Sequence, residues 1–247
     1  MTPPLLCLHG FMGSGNDWNP FIRGLQAVSP KIHVAAPTLP GHGACPATPS
    51  MDWIIDQTRS LPGRPVIVGY SMGGRLAIHA AMHYGEFFSG LITISASPGI
   101  SDPAARAVRR KADAALARRL RSMSPDAFRE FLQEWWRLPV FSSPRRAPKP
   151  PESFLTSRMQ NSPAALARCL TRWGQGSLPS LPGSLHGLPA LFIAGEADAT
   201  YCGFAQEMAA ACPDGRPAIV PGAGHALLIE AIDDLVHITS NFLADLR

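Results

Sequence analysis

Two kinds of apolar run alternate along the chain. Short continuous runs bounded by Gly, Pro and Ser read as buried strands: "PLLCLH" (4–9), "KIHVAAP" (31–37), "RPVIVGY" (64–70), "GLITISA" (90–96), "PALFIAG" (189–195) and "RPAIVPG" (216–222). Between them, apolar residues recur at helical spacing near 18–28, 51–60, 73–84, 203–211 and 229–245. Strand and helix in alternation predict an α/β fold with a mostly parallel central sheet flanked by helices. One region breaks the rhythm. From Pro98 to about Pro189 no strand is expected, and three or four helical segments surround a basic, proline-rich loop, "SSPRRAPKPPE" (142–152). The reading is a core made of 1–97 and 189–247, with 98–188 inserted as a helical lid over the carboxyl ends of the strands.

Composition narrows the class. With 247 residues, 46% hydrophobic and 16% charged, the chain suits one globular unit with a substantial core. The opening residues carry neither a basic leader nor a long apolar run, so no signal peptide or membrane insertion is expected and the default location is the cytoplasm. Cys7, Cys45, Cys169, Cys202 and Cys212 are odd in number and scattered, which suits reduced thiols rather than a disulfide framework or a zinc site. The net charge of +4 is carried almost wholly by arginine, since Lys31, Lys111 and Lys149 are the only lysines. Arginine's planar fork suits carboxylates and phosphates. The basic stretch 109–121 lacks interleaved aromatics and reads as a solvated face, not a nucleic-acid surface.

The chemistry centres on "GYSMGGR" (69–75). Gly-x-Ser-x-Gly between a buried strand and a helix predicts a nucleophile elbow, with Ser71 on a strained turn and glycines letting neighbouring backbone approach. Three further features follow in the order this chemistry requires. "LHGF" (8–11) ends the first strand, so the Phe11 and Met72 N–H groups are candidate oxyanion donors. "GEAD" (195–198) ends the fifth strand and offers Asp198 as the orienting acid, with Glu196 as its local rival. "PGAGH" (221–225) ends the sixth and offers His225 as the base. A serine hydroxyl is a weak nucleophile until an imidazole takes its proton, and the carboxylate fixes that imidazole's tautomer. His79 and His83 have the i, i+4 spacing of metal ligands but no third ligand nearby. His9 reads as support for the oxyanion turn, and His42 as a loop residue. "GFMGSG" (10–15) lacks the ending of a phosphate loop, so no metal, nucleotide or flavin cofactor is called for.

On "LHGFMGSGNDW", "LPGHG", "GYSMGGRLA", "SPGI", "EWWRLPVF", "SRMQN", "GEAD" and "GAGH", nearly the whole chain resembles the α/β-hydrolase superfamily. Within it the chain is similar to the 2-succinyl-6-hydroxy-2,4-cyclohexadiene-1-carboxylate synthases. That resemblance implies a carbon–oxygen lyase of menaquinone or phylloquinone biosynthesis that expels pyruvate from a polycarboxylate substrate. Ser71, His225 and Asp198 would supply the base, and Arg75, Arg109, Arg158 and Trp135 would hold the anionic substrate. The expected partner is that small molecule, bound by a monomer or small homo-oligomer. The chain departs from the family pattern at Thr38, at Thr200-Tyr201 after the acid, and at Leu228 while keeping Glu230. Two other functions share the triad or the fold: a carboxylesterase or thioesterase working through an acyl-enzyme, and a non-catalytic binding protein.

Overall fold

Six strands form one sheet; the four inner ones are short, apolar and buried on both faces, and the two at its edges are partly exposed. The computed structural model describes residues 2–180, 185 and 187–246, so the last part of the predicted insertion, at 181–184 and 186, lies outside the described residues. The strands are β1 (Leu5–Leu8), β2 (Val34–Ala35), β3 (Val66–Tyr70), β4 (Gly90–Ile94), β5 (Ala190–Gly195) and β6 (Gly215–Val220), in the spatial order β2-β1-β3-β4-β5-β6. Every neighbouring pair is parallel; Val68, for example, sits opposite Cys7 on one side and Ile92 on the other. β2 keeps only two residues of the run predicted at 31–37. Its first residues turn instead, with the Ile32 N–H bonded to the Ser29 carbonyl, and Pro37 has no N–H for a ladder. Pro217 is tolerated in β6 because that strand lies at the sheet's other edge.

Alternation in the strands divides the core in two. Leu6, Leu8, Ile67, Leu91 and Phe192 face one layer of helices, and Leu5, Cys7, Val66, Val68 and Ile92 face the other. The first layer holds α2 (Met51–Thr58), α3 (Met72–His83) and α8 (Ala199–Ala211); the second holds α1 (Asn19–Val28) and α10 (Ile232–Asp245). α8 begins four residues before the predicted start at 203, because Asp198 caps it. The helix predicted over 229–245 is broken at Ala231, whose backbone (φ −149°, ψ 46°) separates a single turn, α9 (Leu227–Glu230), from α10.

Between β4 and β5, the described residues contain four helices and no strand: α4 (Pro103–Arg121), α5 (Pro125–Trp136), α6 (Glu152–Arg158) and α7 (Pro163–Trp173). Three begin with proline just after a capping Asp102, Ser124 or Ser162, each of which accepts an N–H of the first turn. Their apolar faces build a third core from Leu120, Phe128, Leu132, Leu155, Leu166 and Leu170. Met12, from the turn after β1, is part of that core, with Phe11 and Trp135 packed on it. Burying each such side chain stabilises the fold by about 1.5–3 kcal/mol, so the inserted helices are fastened directly to the turn beside Ser71. Among the described residues, no helix is long and apolar enough to cross a membrane.

Candidate active site

Ser71 sits at the junction of β3 and α3 with φ +52° and ψ −110°, a conformation a non-glycine residue adopts only under constraint. The constraint is visible: the Ser71 N–H donates to Ile94 O (2.9 Å) and its carbonyl accepts the Arg75 N–H (3.1 Å). Side chains at the flanking glycines would collide with backbone. A Cβ at Gly73 would stand 2.1 Å from Leu8 O, and one at Gly69 would stand 2.3 Å from Gly73 O. This close approach lays the start of α3 against the end of β1.

The loops after β5 and β6 bring the other two groups to the serine. His225 Nδ1 lies 2.8 Å from Asp198 Oδ2, and its Nε2 lies 3.1 Å from Ser71 Oγ. With Nδ1–H donated to the carboxylate, Nε2 is left to accept the serine proton. Of the two acids in "GEAD", Asp198 reaches the histidine, whereas Glu196 accepts the Gly222 N–H (2.8 Å) and pins the turn before it. Asp198 and His225 are both buried. The Phe11 and Met72 N–H groups stand on the turns flanking Ser71, and among the described residues no protein acceptor takes either.

His9 stabilises the first of those turns. Its Nε2 accepts the Leu39 N–H (2.9 Å), which places the proton on Nδ1 facing Gly10 O (2.8 Å). Burial lowers its pKa to about 4, so it stays neutral. His42 packs edge-on against both His9 and Phe11, and burial holds its pKa well below the usual value too.

Aromatic rings enclose the histidine. Tyr201, in the first turn of α8, and Phe141 pack edge-on at 4.5 Å and 5.5 Å, and Tyr70 lies tilted at 5.8 Å. Phe141 continues through Trp135 (6.2 Å) to Phe11 (5.8 Å), so aromatics of the insertion run from the turn after β1 to the imidazole. Trp135 is singled out by its motif; Phe141 ends that same motif and Tyr201 stands out only as a departure after the acid, and neither has an assigned place in the sequence reading. The missed signal is helical phase: Tyr201 lies three residues past Asp198, and so on the same side of α8's first turn.

The three arginines stand in different electrostatic settings. Arg75 is 8% exposed, one turn along α3 from Ser71. Its Nη2 donates to Trp173 O (2.7 Å), its Nε has no partner, and no carboxylate pairs with it among the described residues. Burial lowers its pKa from the usual arginine value to about 10, and it remains a cation at neutral pH. Arg109 is half exposed, bonded through Nε to Asp113 (2.8 Å) and through Nη1 to Gln175, whose amide in turn donates to Ser97 at the end of β4 (3.1 Å). Arg158 is filled by a forked pair with Asp17, at 2.7 and 2.8 Å. A role for Arg158 on substrate therefore requires exchange of Asp17's carboxylate, while Arg75 has a charge still to satisfy. His79 and His83 lie outside this cluster on the same helix, their rings 6.2 Å apart.

A model of the alpha/beta hydrolase family matches residues 5–238. The chain belongs to this family. A Salmonella typhimurium (strain LT2) relative named 2-succinyl-6-hydroxy-2,4-cyclohexadiene-1-carboxylate synthase is 32% identical over 91% of this chain and 87% of its own. A Bacillus subtilis (strain 168) relative is also 32% identical, over 98% of this chain and 90% of its own. Among solved structures, that of MenH from S. aureus superposes with a TM-score of 0.85 at 28% identity, covering 100% of this chain and 95% of the other. These likenesses span the helical insertion as well as the sheet.

Proposed function

We propose that the protein is a 2-succinyl-6-hydroxy-2,4-cyclohexadiene-1-carboxylate synthase, a carbon–oxygen lyase of quinone biosynthesis. Its substrate is 2-succinyl-5-enolpyruvyl-6-hydroxy-3-cyclohexene-1-carboxylate, and the leaving group is pyruvate. His225, oriented by Asp198, takes the Ser71 proton as the serine oxygen removes the ring proton next to the succinyl ketone. Negative charge develops on the ketone oxygen, where the Phe11 and Met72 N–H groups donate to it. The electron pair then forms the C2–C3 double bond, the existing C3–C4 pair shifts to C4–C5, and the C5–O bond breaks, releasing the enolate of pyruvate, which takes up the abstracted proton on carbon. Pyruvate leaves, and the diene remains.

The observation that carries this reading is Arg75. A buried guanidinium with one carbonyl partner and no carboxylate is costly to hold, and a neutral ester gives no return for it. A substrate with three carboxylates supplies the missing anion beside the serine. In this reading Arg109, half exposed and paired with Asp113, exchanges that pairing for a second substrate carboxylate, and the Trp135 and Phe141 rings exclude water from the carbanion. The four inserted helices act as the lid over this site. The identities with the named synthases support the same reading.

The test uses purified protein with the enolpyruvyl substrate generated in situ. Pyruvate release that disappears in Ser71→Ala supports the assignment. Brisk hydrolysis of short p-nitrophenyl esters without pyruvate release would replace it with an esterase working through an acyl-enzyme.

A further inference from the structure

The loop that carries His225 is glycine-rich and irregular, yet it has to hold an imidazole between two hydrogen-bond partners. A single carboxylate brackets it. Glu230 accepts the Gly224 N–H on Oε2 (2.7 Å) and the Ala226 N–H on Oε1 (3.2 Å), the peptide groups either side of the histidine. The break at Ala231 gives Glu230 this reach, because it ends α9 beside the loop instead of continuing into α10.

The same Oε2 also accepts the Ser143 hydroxyl, which belongs to the segment joining α5 to α6. That segment touches the histidine loop along its length. Arg145 donates to Pro221 O (2.6 Å) and pairs with Asp234 (2.9 Å). Ser143 is packed so close to Gly224 that a Cβ there would stand 2.7 Å from the Ser143 Cβ. Phe141 lies against the imidazole, and Arg146 anchors Phe141 by donating to its carbonyl (2.7 Å) while stacking over Trp136 at 3.6 Å. The loop is thus held from the core side by Glu230 and from the other by residues 141–146.

We propose that Glu230 is a positioning residue for His225, and that Ser143 couples its hold to the helical insertion. The imidazole is aligned with Ser71 while the 141–146 segment is seated, and it loses alignment when the segment lifts. The idea rests on the Ser71, His225 and Asp198 contacts and not on the identity of the substrate.

Two variants test it. Glu230→Gln preserves volume but turns one acceptor into a donor facing an N–H. Displacement of a reacting group by about 1 Å costs up to 10²-fold, so kcat for pyruvate release should fall roughly ten- to a hundredfold with KM within about twofold. Ser143→Ala removes one hydrogen bond and should lower kcat roughly three- to tenfold, again with little change in KM. In both, the low-field proton resonance of His225 Nδ1–H on Asp198 should shift or broaden, a readout that a purely structural role would not move and that needs no substrate. If Glu230→Gln does not fold, Ser143→Ala decides. Wild-type kcat and an unchanged resonance in either folded variant overturn the proposal.

Discussion

Replacing Arg75 by methionine separates what this residue does for the fold from what it does for the reaction. Burial lowers its pKa from the usual arginine value to about 10, so the folded state holds the charge at a cost of about 3 kcal/mol. Against this, removing the guanidinium leaves Trp173 O without its donor, a loss of about 1–3 kcal/mol. The net change in stability is therefore between about zero and a gain of 2 kcal/mol, or up to several degrees in Tm for a chain of this size. The guanidinium stays protonated at neutral pH, so the variant's advantage is present at pH 7. In the reaction the sign reverses. Loss of a forked contact to a substrate carboxylate should lower kcat/KM for pyruvate release by at least about 10²-fold, with Arg75→Lys also impaired because an ammonium cannot replace the fork. Urea unfolding and steady-state kinetics on the same preparations measure both halves. A loss of about 3 kcal/mol or more with kcat/KM intact would refute the reasoning, because it would mark Arg75 as part of a structural ion pair.

Three other outcomes follow from the geometry. Asp198→Asn should leave Ser71 and His225 in place but favour the wrong imidazole tautomer, lowering kcat by about 10⁴ with secondary structure unchanged by circular dichroism. Gly73→Ala sets a methyl 2.1 Å from the Leu8 carbonyl and should destabilise the fold by at least about 3 kcal/mol in urea titrations. His9, neutral down to about pH 4 in the fold but not when unfolded, makes stability fall as pH drops from 6.5 toward 4, by up to about 3 kcal/mol; His42 adds in the same direction. A urea midpoint that stays constant over that range would contradict the buried, neutral histidines.

The sheet was legible in the sequence because its inner strands are buried on both faces and read as apolar runs, from Leu5–Leu8 to Ala190–Gly195. Boundaries were less so. The edge run at 31–37 shrank to Val34–Ala35 where a turn and Pro37 withdrew its donors, and the final helix broke at Ala231 without any proline or glycine to announce it. The residues that meet around Ser71 were legible where they end strands, since parallel strands deliver their carboxyl ends to one edge of the sheet. What the sequence did not disclose are pairings between distant segments. Asp17 and Arg158 are 141 residues apart and Ser143 and Glu230 are 87 apart, and no local period relates them. Arg158 illustrates the cost: the family resemblance implies a contact to the anionic substrate, while Asp17 occupies both of its arms.

The most direct measurement follows product formation from the enolpyruvyl substrate by two signals at once, pyruvate by a coupled reductase and the conjugated diene by its absorbance. Wild-type protein should produce the two in equal amounts, and Ser71→Ala should produce neither above the uncatalysed rate. Turnover without the diene, or undiminished activity in Ser71→Ala, would contradict elimination driven by the serine.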